Sequence, residues 1–214
     1  MDEDIAIINS NTRIQRIKDF FTKNKKLFIS VLILLILILL VFYSYKIYQD
    51  KNKIKISDKY NSTVMKHKNG VNSGIVSAMQ EIVENKDATY SPLALYYLID
   101  NKLISDQNKI NNLFDTLIKK TSLDSEIKYL IIYKKALYNA DTINEGQILE
   151  ILNPVINSTS VWKSHALYLI AEYFYSKGEK QKSKEFFSQI ITLENANLDI
   201  LKETQKRLNR DLSE

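Results

Sequence analysis

The residues with most chemical potential in this 214-residue chain lie within eleven positions of one another: His165, Tyr168, Glu172 and Tyr175. An imidazole near a carboxylate could do acid–base work. That chemistry also needs a third group or a nucleophile, and neither is evident nearby. The spacing of 3, 4 and 3 residues puts all four on one side of a helix. Tyr and His combine flat apolar surface with a hydrogen-bonding tip, which suits peptide binding. The stripe therefore reads as a candidate protein-binding face. The competing reading is that neighbouring helices cover it and only the polar tips reach solvent. Leu167, Ile170 and Phe174 fall on another side and are expected in the core.

Other chemistry is sparse. His67 lies in KHKNG, which reads as an exposed basic turn. The single tryptophan, Trp162, follows the expected N-cap Ser160 and reads as a core or staple residue. No P-loop, dinucleotide-binding, HExxH or GxSxG pattern occurs. The absence of Cys removes disulfides, thiolate zinc sites and Cys nucleophiles. No catalytic residue, metal site or cofactor is expected, and the chain does not read as an enzyme. Its net charge of +5 is unevenly placed: residues 1–46 hold 7 Lys/Arg against 4 Asp/Glu, and the rest hold 23 against 21. The larger part is nearly neutral, so no nucleic-acid partner is expected.

The elements that position the stripe are read as helices. Only 4 Gly and 2 Pro occur, too few for a turn-rich β fold. From Leu27 to Tyr45 runs a charge-free stretch of 19 residues bounded by Lys26 and Lys46. As a helix at about 1.5 Å per residue it spans roughly 28 Å, close to the hydrocarbon thickness of a bilayer. Phe42, Tyr43 and Tyr45 gather at one end, where rings suit the lipid–water boundary. A cleavable signal would be shorter and end at small residues, whereas YSYKIYQDK is bulky. The segment therefore reads as an uncleaved signal anchor. Residues 11–26 carry 6 Lys/Arg and residues 44–60 carry 5, a slight preference for a cytoplasmic N-terminus. Ile14, Ile17, Phe20 and Phe21 among basic residues read either as a short interfacial helix or as the start of the membrane helix.

The expected layout is a tail (1–26), the anchor (27–45), a helical extension with first helices (46–90), repeats (91–197) and a C-terminal capping helix (198–214). NGVNSG at 69–74 should break the extension. Ser91-Pro92 reads as an N-cap with Pro at the first helical position. Ile127, Leu130, Ile131, Lys134, Leu137 and Tyr138 mark one helical set. Thr142 to Glu145 reads as a capping box, and Asn153-Pro154 as a stop or kink. The window Ser164–Asn197 fits a 34-residue tetratricopeptide unit. Leu167 and Ile170 take its large positions, Ala171 and Ser183 its small ones, Phe174 and Phe187 its aromatic ones, and Gly178 closes the first helix. Weaker copies begin near Ser91 and Tyr129, at spacings of 38 and 35 residues.

The acidic start MDED, RIKDFFTKNKK, KDATYSPLALYYL and VWKSHALYLIAEYFYSKGEKQKSKEFFSQI together give the chain a resemblance to a known family. Its members are single-pass bacterial inner-membrane proteins with a tetratricopeptide-like domain outside the cytoplasm, described as ancillary subunits of the Sec translocon. The resemblance implies an all-α fold, a transmembrane helix followed by an α-solenoid of helical hairpins, and a protein-binding role without catalytic residues. The expected partners are translocon subunits or periplasmic chaperones, with the membrane engaged through residues 27–45. A structural, self-associating envelope protein of cell division or outer-membrane assembly is the alternative, and a homo-oligomer would fit it.

Overall fold

The computed structural model describes residues 15, 16 and 18–212, and all of their regular secondary structure is helical. The acidic start, Ile14 and Ile17 lie outside the described residues. Helix α1 (Lys25–Lys68) is followed by α2 (Ile75–Glu84), α3 (Tyr90–Asp100), α4 (Gln107–Lys120) and α5 (Ser125–Asn139). Then come α6 (Glu145–Ile156), α7 (Lys163–Ser176), α8 (Lys180–Ile191) and α9 (Leu198–Asp211). The chain divides into two compact units, one ending at Lys55 and one beginning at Ile56.

In the first unit, the apolar stretch of α1 makes it long and apolar enough to cross a membrane, by length and composition. Its large side chains are exposed on every side, from 37 % at Phe28 to 70 % at Val41. A core helix of a water-soluble domain would bury at least one stripe. This is therefore a candidate membrane span or signal near the N-terminus.

The second unit packs helices that are neighbours in sequence: α2 on α3, α3 on α4, and so on through α8 on α9. Helices two apart also touch at α2–α4, α5–α7 and α7–α9. Three buried clusters result. The first joins Ile56, Met79, Ile82, Leu95, Leu98, Phe114 and Leu117, and ends on Ile131 of α5. The second starts at the next residue, Ile132, and takes Ala136, Ile148, Leu152, Ile170 and Phe174. The third takes Leu167 and Ala171 of α7 with Phe187, Ile190 and Leu212. Leu167, Ile170 and Phe174 are thus core residues, as their side of the helix predicts.

Several local expectations are corrected. Ser91 is not an N-cap: α3 starts at Tyr90, Asp87 Oδ1 accepts from the Thr89 and Tyr90 amides, and buried Ser91 donates its hydroxyl to the Ile82 carbonyl. The capping box lies two residues later than expected, with Asn144 and Gln147 bonding reciprocally. Pro154 does not end α6 but sits inside it. Leu137 is 49 % exposed, while Ala136 is fully buried, so the inward side of α5 is turned by one residue from the expected set. His67 is not a solvated turn residue: it lies in the last turn of α1, with Nδ1 2.7 Å from the Tyr97 hydroxyl. Ser160 does not cap α7 directly; its hydroxyl accepts from the Trp162 amide and donates to Glu126.

Ser183 of α8 is fully buried, and its hydroxyl has no hydrogen-bond partner. A small side chain is needed there, but the hydroxyl is not. Ser183→Ala should leave the full chain as stable or raise its melting temperature by a few degrees. Ser183→Leu should cost about 1–3 kcal/mol by overpacking. Thermal unfolding followed by circular dichroism checks both; a destabilised Ala variant would show that the hydroxyl is used.

Candidate functional site

The four residues of the predicted stripe all lie on α7, but the fold separates them into two environments. His165 leans on Trp162, with ring centroids 5.0 Å apart, and meets Tyr133 of α5 edge-on at 5.9 Å. Its buried Nδ1 makes no hydrogen bond of good geometry. Burial pushes its pKa below the ordinary histidine value, against a smaller opposing pull from the Val161 backbone. The ring is therefore neutral at pH 7.

Tyr168, Glu172 and Tyr175 instead gather under α9. Arg207 grips Glu172 with both arms: Nε donates to Oε1 at 2.7 Å and Nη2 to Oε2 at 2.8 Å. The same guanidinium lies 4.1 Å over the Tyr175 ring and also reaches Asp211. Tyr168 packs edge-on against Phe187 at 5.3 Å. Burial, and then the Glu172 carboxylate, push its hydroxyl up to about 12. A carboxylate whose two oxygens are both held by one guanidinium is poorly placed to shuttle protons. The chemistry of this face is clamping, with half-exposed aromatic edges beside it.

A second surface lay outside the sequence reading. Helices α4, α5 and α6 enclose a cleft of about 400 Å³ whose walls include Ile118, Ile132, Ile151 and Pro154. Its floor is polar. Asn139, 2 % exposed, exchanges two hydrogen bonds with Asn111, at 2.8 and 2.9 Å. It also accepts from Gln107 at 2.8 Å and donates to the Lys135 carbonyl at 2.7 Å. Lys135 Nζ donates to Asp115 at 2.7 Å, and Lys119 adds a longer contact at 3.3 Å. One signal was available: Asn139 follows Ile132 by seven residues and Ala136 by three, so an amide occupies the buried side of α5. A fully bonded buried amide is costly to disturb and holds its neighbours in register. Among the described residues, no group of three or more His, Asp or Glu could hold a metal ion.

Arg207 is the main polar tie between α7 and α9, and its removal leaves Glu172 without a counter-charge. Arg207→Ala should cost about 1–3 kcal/mol. Amide exchange should accelerate in α9 while α2 to α4 stay protected. Equal acceleration throughout would show that α9 is not held locally.

Asp115 supplies a pH dependence. Burial alone would raise its pKa, but Lys135 and Lys119 bonded to it hold it below the ordinary aspartate value. A depressed folded-state pKa stabilises above the unfolded value, near 4, and that stability is lost as pH falls through the folded one. Asp115→Asn should therefore flatten the loss of stability below about pH 4. Denaturant unfolding at pH 7 and pH 3 measures it; an unchanged acid limb would remove Asp115 from the account.

No family model, curated protein or solved structure matches this chain. What stands is the coarser description: an all-helical protein with one long apolar N-terminal helix, its later helices packed as sequential pairs.

Proposed function

We propose that the chain is a membrane-anchored protein-binding scaffold. In this reading residues 27–45 cross the membrane as an uncleaved anchor, and the paired helices form a tetratricopeptide-like solenoid that holds other proteins. The observation that carries it is the contrast between two kinds of apolar surface. Residues 27–45 expose every large apolar side chain, whereas the helices beyond Ile56 bury most of theirs in three clusters. A lipid surround would stabilise the first arrangement and would tether the folded helices to a membrane.

The slight excess of Lys/Arg before the apolar segment supports a cytoplasmic N-terminus, with the helical unit on the periplasmic side of a bacterial inner membrane. That side would bring it translocon subunits or the folding factors that receive exported chains. The α7 residues His165, Tyr168, Glu172 and Tyr175 keep partly exposed edges, and Tyr anchors commonly dominate interface energy.

A membrane-impermeant lysine crosslinker applied to spheroplasts tests side and partner together. The expected outcome is adducts of the full chain with translocon or folding-factor proteins, weakened in Tyr168→Ala/Tyr175→Ala at unchanged expression. Labelling only in inverted vesicles would reverse the orientation. Adducts solely between copies of the chain would replace the scaffold reading with a self-associating structural one.

A further inference from the structure

The start of α7 and the turn before α9 enclose a second hollow. It measures about 360 Å³ and is lined by Val161, Trp162, His165, Asn195 and Asn197. That volume suits a small ligand or a short stretch of one. Tyr133 of α5 does not line the hollow, but it stacks on Trp162 at 6.0 Å with the rings 20° apart, so the aromatic wall is backed from behind. His165 adjoins that wall, 5.0 Å from Trp162. Val161, 64 % exposed, adds an apolar lip.

The polar groups left over around this hollow are unbalanced. Asn197 caps α9: its side-chain oxygen accepts from the Asp199 and Ile200 amides at 3.0 and 3.2 Å, and its own backbone amide donates to Ser164 at 3.3 Å. Its side-chain NH2 is the donor that remains. Among the described residues, neither the Asn195 side chain nor the Trp162 indole N–H has a hydrogen-bond partner. Spare donors therefore outnumber spare acceptors: the indole and both side-chain amides donate, while acceptance falls to the Asn195 oxygen and one nitrogen of the neutral His165 ring. No Lys, Arg, Asp or Glu lines the hollow. The Glu126 carboxylate beside Val161 is taken by the Ser160 hydroxyl and the Val161 amide. A charged ligand group would lose its water here with no counter-charge in place.

We infer that this hollow binds an uncharged, proline-containing segment of a polypeptide. A proline ring offers a compact apolar face to Trp162 and Val161, as in the aromatic-lined grooves that take polyproline II segments. Proline has no N–H, so such a segment presents more carbonyl acceptors than donors. That complements the donor excess of the indole and the two amides. An apolar segment without proline brings an N–H at every residue, and the hollow has few acceptors to meet them. The inference rests on the scaffold reading of the α7 face and narrows what that face holds.

Trp162 is the only tryptophan, so its emission reports on the hollow directly. The full chain in nanodiscs is titrated with an acetylated, amidated Ser-Pro-Pro-Ala-Pro-Pro-Ser peptide, and with the same peptide carrying Ala at every Pro. The proline peptide should shift the emission saturably, and the alanine peptide should bind about tenfold more weakly. Asn195→Ala should weaken the proline peptide roughly fivefold. So should Asn197→Ser, which keeps an oxygen to cap α9 but removes the amide donor. Both variants should melt near the temperature of the unmodified chain. Glu150→Ala, in the Asn139-floored cleft, should leave peptide binding unchanged. Emission that ignores the proline peptide overturns the proline hollow. So does equal affinity for the two peptides, or undiminished binding in both Asn variants. The spheroplast crosslinking keeps the scaffold reading separate. Partner adducts from a chain that ignores both peptides remove only the hollow; a chain that gives neither adducts nor a peptide response loses both.

Discussion

Two helices, α5 and α7, are buried from both sides, and the order of the folded unit depends on that. Ile131 closes the first apolar cluster and Ile132 opens the second. Ile170 and Phe174 belong to the second, while Leu167 and Ala171 belong to the third. A helix with a single apolar stripe can be covered once. These two carry a wider apolar arc, so each is held between a helix that precedes it and one that follows. Remove either, and the clusters on its two sides no longer share a wall. The small residues Ala136, Ala166 and Ala171, all fully buried, let the neighbouring backbones approach closely enough for this.

The polar groups that reinforce this arrangement sit where two helices would otherwise be joined by apolar contact alone. Asn139 ties α5 to α4 through Asn111 and Gln107. Lys182 of α8 reaches Glu145 at the start of α6, at 2.8 and 3.0 Å. Arg207 holds α9 on α7 through Glu172 and the Tyr175 ring. These contacts have different weight. Asn139 is buried and fully bonded, so disturbing it would strand polar groups away from water. Lys182 and Glu145 remain substantially exposed, so solvent and salt weaken their attraction.

The proposed function rests on the same division of surfaces. The unit ending at Lys55 presents a continuous exposed apolar surface, and the unit from Ile56 presents helices whose large apolar side chains are mostly buried. Among the described residues, the surfaces that combine shape with polar groups include the Asn139-floored cleft and the aromatic edges of α7. In the proposed scaffold reading both would meet polypeptide, since they mix hydrogen-bonding groups with small apolar walls.

The sequence alone determined the helical class, the limits of the apolar segment and the core role of Leu167, Ile170 and Phe174, because each of these follows from local composition or a 3.6-residue period. It also led to the break at 69–74 and to a last helix beginning at Leu198. The capping details went astray, since Asp87, Thr89 and Ser91 are all chemically competent caps and only the packed chain chooses among them. The face of α5 went astray for a related reason: its apolar residues spread too far around the helix for period alone to orient it. Whether the α7 stripe is open was not a local question at all. Arg207 is 35 residues from Glu172, and Asn139 is 28 from Asn111. Periodicity places a side chain on a side of its own helix, but what covers that side is settled by a helix elsewhere in the chain. Only the tertiary structure brings that helix into contact.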